Sequence, residues 1–320
     1  EGLKCPRMPP DVYERLKKKY MDHLSHLFSK VTCAHDAPNK PDHGDIDMIV
    51  AGPLSPSGVS SEQLAKHCDA ASFQLNGPVT SLAVPYPKSE NTLTAWEQED
   101  AWVQLDVHTC DPDLVEWTSF MESYGDLMQI IGHTHRWTGL TLNNKGMSVR
   151  ISEIEPEDKK ASLLFLTRDP AAVMEFLGLN IAAYDKGFGS EDDIYGWVSS
   201  ARFFDRRIFD NVTEEERTEN ANDRRRKKTR PMFARFVDDW IIHHHDCGKG
   251  VTATREDISR EAIATFDKQD EYWAKVSAWR RKSVEADFWR TLKANIAKKD
   301  KKLRFALKAC KHWIIVTEGK

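Results

Sequence analysis

Apolar residues recur every four positions near the start of the chain, at Val12, Leu16, Tyr20, Leu24 and Phe28. That period gathers them on one face and predicts an amphipathic helix. The polar stretch Thr32–His43, with two prolines, reads as a loop. Ile46-Asp47-Met48-Ile49-Val50 is dense in branched apolar residues and predicts a strand. Ser60 with Gln63 three residues later is a capping-box signal for a short helix near 61–69. Further strands are expected over 72–75, 79–84 and 101–108. In the last, alternation sets Trp102, Gln104, Asp106 and His108 on one face and Val103, Leu105 and Val107 on the other.

After Asp113 the pattern turns helical to about 135. Gly139–Leu142, Asn143–Gly146 and Met147–Ile151 read as a hairpin with a glycine in its turn. Leu163–Thr167 predicts a short strand, and Asp169-Pro170 a helix cap followed by proline at the first helical position. Gly178 is expected to stop that helix. Ser190 starts another through Trp197, and Thr213 with Glu216 forms a second capping box. Residues 254–297 predict a long helical region anchored by Trp273, Val276, Trp279, Trp289 and Leu292. The expected fold is an α/β (α+β) core with a mixed twisted sheet over 1–155, then a mainly helical domain over 156–320.

Composition and charge add two points. No apolar run approaches the roughly 20 residues that span a bilayer, and the polar, proline-rich start lacks a signal-peptide pattern. The chain begins on Glu1, as a processed or partial chain would. Its six cysteines are scattered, with no C-x-x-C pair, which suits reduced thiols in an intracellular protein, cytoplasmic or nuclear. Charge is divided: residues 1–150 hold 13 Lys and Arg against 20 Asp and Glu, whereas residues 217–320 hold 26 against 15. The basic region, including Arg224–Arg230, suits contact with a polynucleotide backbone, an import signal or a solvated loop.

Candidate chemistry centres on His43-Gly44-Asp45-Ile46-Asp47. Two residues apart on a strand, Asp45 and Asp47 point to one face about 6–7 Å apart. Hard carboxylates so placed suit Mg²⁺ or Mn²⁺. Asp106, interrupting an otherwise apolar and aromatic strand, is the third carboxylate. Three acids clamping two ions suit in-line attack on a nucleoside triphosphate.

A D-x-D strand followed tens of residues later by a strand with a single Asp resembles the catalytic core of the polymerase-β-like nucleotidyltransferases. The segments that carry the resemblance are Lys40–Asp47, Gln104–His108, Tyr124–Leu127, Gly139–Arg150 and Phe176–Leu179. The whole chain looks similar to fungal uncharacterised proteins with such a core. The resemblance implies a two-ion site of Mg²⁺ or Mn²⁺ on Asp45, Asp47 and Asp106. It also implies an NTP substrate, ATP among them, and transfer of a nucleoside monophosphate to an acceptor hydroxyl with release of pyrophosphate. An RNA 3′ end held by 217–320 is the first acceptor to expect. Thr32, Gly44, His108, Arg136, Lys145 and Arg150 are the residues expected to contact the nucleotide.

One window departs from the family pattern. A Gly-Gly or Gly-Ser pair precedes the D-x-D in that superfamily, but Val31–Asp36 contains no glycine. This departure keeps a second reading in play, a nucleotidyltransferase fold that binds nucleic acid or protein without catalysis. His133-x-His135 lacks a third ligand at recognisable spacing, and His243–His245 sits beside Asp246 and Cys247 at an expected helix end, where surface histidines are common, so neither is read as a metal site. Trp273, Trp279, Trp289 and Phe288 read as core residues.

Overall fold

The four-residue period becomes α1, Pro10–Ser25, which buries Val12, Tyr13, Leu16, Tyr20 and Leu24 and has proline at its first turn. Phe28 leaves the period. It begins β1, Phe28–Thr32, a strand where the sequence suggested the end of the helix and a loop. Its buried ring joins the same core from a different element. This computed structural model describes residues 2–87, 101–210, 227–248, 251–295 and 305.

β1 pairs antiparallel with β2, Asp45–Pro53. A capping box of Ser60 and Gln63 then starts α2, Ser61–His67. The remaining strands of the sheet are β3 (Ser72–Asn76), β4 (Val79–Pro85) and β5 (Trp102–Thr109). Their order is β1-β2-β5-β4-β3. β2 and β5 run parallel, and the other neighbours run antiparallel. The mixed sheet with helices, followed by a mainly helical region, is the α/β architecture expected from the sequence.

Alternation gives each strand of the central pair two jobs. Ile46, Met48 and Val50 of β2, with Val103, Leu105 and Val107 of β5, pack into one core with Leu82, Val84 and the apolar stripe of α1. Each such side chain contributes about 1.5–3 kcal/mol by leaving water. On the other face Ile49 and Ala51 are covered by Val115 of α3, Val115–Glu122. This cover ends short of Asp47, so the acidic end of that face stays open.

The helical region after Asp113 is two helices, α3 and α4 (Leu127–Thr134). The break is at Tyr124 and Gly125, with φ of +57° and +65°. Tyr124 is held there by three contacts. Its amide donates to the His35 carbonyl (2.6 Å), its hydroxyl donates to the Tyr184 carbonyl (2.7 Å), and its ring stacks on His35 at 5.0 Å. The expected hairpin is β6 (Leu140–Asn143) and β7 (Gly146–Arg150). With β8, Leu163–Thr167, it makes a second sheet in the order β6-β7-β8.

Asp169 caps α5, Pro170–Leu177, and Gly178 ends it at φ +69°. Next come α6 (Ile181–Lys186), α7 (Glu191–Ser199, capped by Ser190) and α8 (Arg207–Asp210). α9, Pro231–Arg235, runs into a π-helical turn over Phe236–Trp240. The expected helix over 254–297 is split into α10 (Arg255–Thr265) and α11 (Gln269–Asn295), parted at Asp267 with φ +52°. Val276 and Trp289 are buried as expected, but Trp273 is 57% exposed and Phe288 39% exposed, so neither is a core anchor. The capping box at Thr213 and Glu216 and the basic residues Arg224–Arg226 lie outside the described residues.

Two compact units form. One comprises Glu1–Arg136, Leu142–Met147 and Thr167–Thr252, and holds the five-stranded sheet. The other comprises Trp137–Thr141, Ser148–Leu166 and Ala253–Lys320.

Candidate active site

The parallel register of β2 and β5 sets Asp45 beside Gln104, Asp47 beside Asp106 and Ile49 beside His108. β4 adds Ser81 beside Asp106. Because a strand turns alternate side chains to one face, the apolar core residues of these strands force the acids onto the opposite side. Ligand atoms of Asp45, Asp47 and Asp106 all lie within 4.8 Å of one another. Gln104 Nε2 donates to Asp106 Oδ2 at 3.0 Å, which orients that carboxylate.

Asp47 is open to a cleft, yet protein surrounds it on most sides. Burial, then the charges of Asp45, Asp106 and Glu122, push its pKa up to about 7. Among the described residues no Lys or Arg stands within ion-pair distance of the three acids. Clustered carboxylates without a cation repel one another, and a hard divalent ion would relieve that repulsion with the oxygen donors it prefers. The donor set therefore fits a hard divalent cation.

The cleft has a volume of about 560 Å³, and Asp47, Asp106 and His108 line it. Glu122 Oε1 accepts from His108 Nδ1 at 2.9 Å. That hydrogen bond outweighs burial and holds the imidazole pKa above its usual value. The loop between β1 and β2 forms another wall. Its Asp36 takes the Tyr13 hydroxyl at 2.9 Å and the Lys17 ammonium at 3.0 Å. Burial opposes the charge on Asp36, but these partners prevail and keep its pKa below the usual carboxylate value. Lys40 of the same loop stands 3.6 Å from Asp36.

Other residues singled out in the sequence have different surroundings. Thr32 lines a neighbouring depression, with its hydroxyl 3.4 Å from the Cys33 carbonyl. A side chain at Gly44 would meet the Arg7 guanidinium at 3.1 Å. Arg136 is exposed in a short 3₁₀ turn, and Lys145 is exposed in the β6–β7 turn. Arg150 belongs to the second unit, where its Nε is 3.4 Å from Glu155. None of these five lines the cleft, whereas Lys40, Glu122 and Arg230 do. Arg230 also meets Asp126 at 3.4 Å. Arg230 stands out in the sequence as one of a basic run. Lys40 and Glu122 carry no local signal, because only the folded loop and α3 bring them to the acids.

No family model and no curated protein matches the chain. Among solved structures it is similar to polymerase β of Leishmania infantum in a ternary P/T complex. The match has 13% identity and a TM-score of 0.40, and covers 55% of this chain and 74% of that one. At that level of likeness the functional argument rests on the geometry of the site itself.

Proposed function

We propose that the protein is a divalent-metal-dependent nucleotidyltransferase that moves a nucleoside monophosphate from an NTP to an acceptor hydroxyl. One observation carries this reading: Asp45, Asp47 and Asp106 converge on one open face of a buried parallel strand pair. Asp45, Asp47 and Asp106 would hold the ions. Bound Mg²⁺ or Mn²⁺ would supply charge neutralisation for the phosphates and lower the pKa of an attacking hydroxyl. Gln104 orients Asp106, and Lys40 and Arg230 offer positive charge to the triphosphate from the cleft wall. We assign the acids to the 1–155 core and Arg230 to the helical 156–320 region. Thr32, Gly44, Arg136, Lys145 and Arg150 are weaker assignments, because they lie off the cleft lining. The basic residues of 217–320 are the argument for an RNA 3′ end as acceptor.

A second reading, a binding module without catalysis, has one specific observation in its favour. The Val31–Asp36 segment that would cradle phosphates through backbone amides has no glycine, and its His35 amide already donates to Ser123 Oγ at 3.0 Å. Two measurements separate the readings. Mn²⁺ at about 100 times its Kd should stabilise a live site by roughly 2.7 kcal/mol; Asp47→Ala should lose that stabilisation. Each labelled NTP is then offered with Mg²⁺ or Mn²⁺ and a pool of acceptors, beside Asp106→Ala. Transfer by the wild type and its loss in the variant support the enzyme. Metal binding with no transfer of any nucleotide favours the binding module.

A further inference from the structure

The turn before α4 and the start of α9 meet at one buried carboxylate. The Asp126 side chain is 9% exposed, whereas that of Arg230 is 50% exposed. Asp126 Oδ2 accepts from the Phe233 amide at 3.2 Å, which satisfies a free N–H of the first turn of α9. Its Oδ1 accepts from Arg230 Nη1 at 3.4 Å. Among the described residues Asp126 is the one hydrogen-bond partner of that guanidinium. The other N–H groups of Arg230 stay available at the wall of the acidic cleft, which Arg230 lines together with Asp47 and Asp106.

The same turn is locked to the loop between β1 and β2. Gly125 has φ +65°, and a side chain there would meet Ala37 Cβ at 3.3 Å and Met232 Sδ at 3.7 Å. Loop, turn and α9 are thus packed at close range around a backbone conformation that glycine adopts freely. In that loop the His35 amide is engaged by Ser123 Oγ and the His35 carbonyl by the Tyr124 amide. Val31–Asp36 has no glycine to let the backbone approach a phosphate. Side-chain cations must then do more of that work. Lys40 and Arg230 are those of the cleft's described lining, and an arginine fork matches phosphate oxygens with paired hydrogen bonds.

We infer that Asp126 is a positioning residue, which holds the Arg230 guanidinium in the cleft so that it binds the triphosphate where a glycine-rich turn is missing. The inference rests on the nucleotidyltransferase reading. A buried carboxylate left without a partner is costly, and that cost keeps the Arg230 side chain, otherwise free among many rotamers, against Asp126. An arginine ordered in advance loses less entropy when phosphate binds. The charge of Asp126, taken alone, repels phosphate. Its field and its tethering of Arg230 therefore act on phosphate affinity in opposite directions, and a substitution can tell them apart.

Calorimetry on the full chain, with inorganic triphosphate and Mg²⁺ as the probe, tests this without relying on activity. Asp126→Asn keeps one oxygen for the buried Phe233 amide, while its amino group cannot accept from Arg230. The cap survives and the tether is lost. Asp126→Asn should weaken triphosphate binding by about tenfold although it removes a negative charge, and Arg230→Ala should do the same. Combined with Arg230→Ala, Asp126→Asn should weaken binding no further, because no guanidinium remains to be placed. Tighter binding in Asp126→Asn overturns the inference, leaving Asp126 as a repelling charge. A second loss of about tenfold in the double variant overturns it too, since a structural role adds to the first loss. Should Asp126→Asn fail to fold, unchanged binding in Arg230→Ala still overturns it, as does absence of binding by the wild type. Labelled NTP transfer in parallel separates the two ideas. Transfer by the wild type, with triphosphate binding equal in all variants, keeps the enzyme and sinks the tether. Coupled losses of binding without transfer by the wild type do the reverse.

Discussion

The β2–β5 strand pair and α11 are built on opposite plans. Along β2, Asp45 and Asp47 face the cleft while Ile46, Met48 and Val50 are wholly buried, and β5 repeats this with Asp106 between Leu105 and Val107. Candidate ligands and core residues therefore alternate along the acidic end of the same nine-residue strand. α11 has 27 residues, yet Val276 and Trp289 are its buried side chains among those described. Its Arg280–Glu153 pair, at 2.7 Å, is exposed, and such pairs add little. A strand pair whose register is pinned by one buried face gives each position a definite role. A helix that is polar on most sides is set by its own hydrogen bonds and a few anchors.

The contrast is tested most strongly at Asp106. Asp106→Ala should lower nucleotide transfer about a thousandfold, roughly 4 kcal/mol in the barrier. In metal-free buffer its melting temperature should match or exceed that of the wild type, since one of three mutually repelling carboxylates is gone. A large drop in stability would mean that the acid is structural and that the faces are not divided as described. One residue away the effects exchange. Ile46→Ala should cost about 2–5 kcal/mol of stability, the usual range for truncation in a packed core, measured by denaturant unfolding. The protein that remains folded should keep its Mn²⁺ response.

Acid should act at a third position, outside both regions. His135 is fully buried at the end of α4, with Nδ1 3.1 Å from the Ile131 carbonyl. Burial pulls its pKa from 6.5 to about 4. Between those values the unfolded chain binds a proton that the folded one refuses. The contribution of neutral His135 is thus complete above pH 6.5 and is lost progressively as pH falls to about 4. At about 1.4 kcal/mol per unit, the loss approaches roughly 3 kcal/mol. α11 contains no histidine. Stability measured from pH 7 down to 4.5 should fall less steeply in His135→Gln than in the wild type, and equal slopes would remove His135 as the cause.

These regions also differ in how far the sequence discloses them. The period of two along β2 and β5 is visible because both faces are under demand, and with it come the three acids. The caps at Ser60, Asp169 and Ser190 are legible because each is a local hydrogen bond. β1 is hidden, since Phe28 fits a helical period and its partner strand lies across a twelve-residue loop, 33–44. The break at Tyr124 is hidden too, because its positive φ is held by His35 and Tyr184, far away in sequence. Lys40, Glu122 and Arg230 reach the cleft only through tertiary structure. In α11 an apolar residue at helical spacing carries no mark of whether a partner stands opposite it.

The smallest expected effect lies at that ambiguity. Trp273 is large, aromatic and in register with the buried Val276, three residues on, yet it is 57% exposed. Residues three apart in a helix share a face, so a seam packed along its length would bury both. If the exposure reflects solvent, Trp273→Ala removes little buried surface and should change stability by no more than about 0.5 kcal/mol. Val276→Ala, which opens a hole in a fully buried position, should cost more. Unfolding curves for the two variants decide the point. Equal losses would mean that Trp273 is covered in solution and that α11 has a second packed edge, in which case the helix is closer in plan to the strand pair than its described side chains indicate.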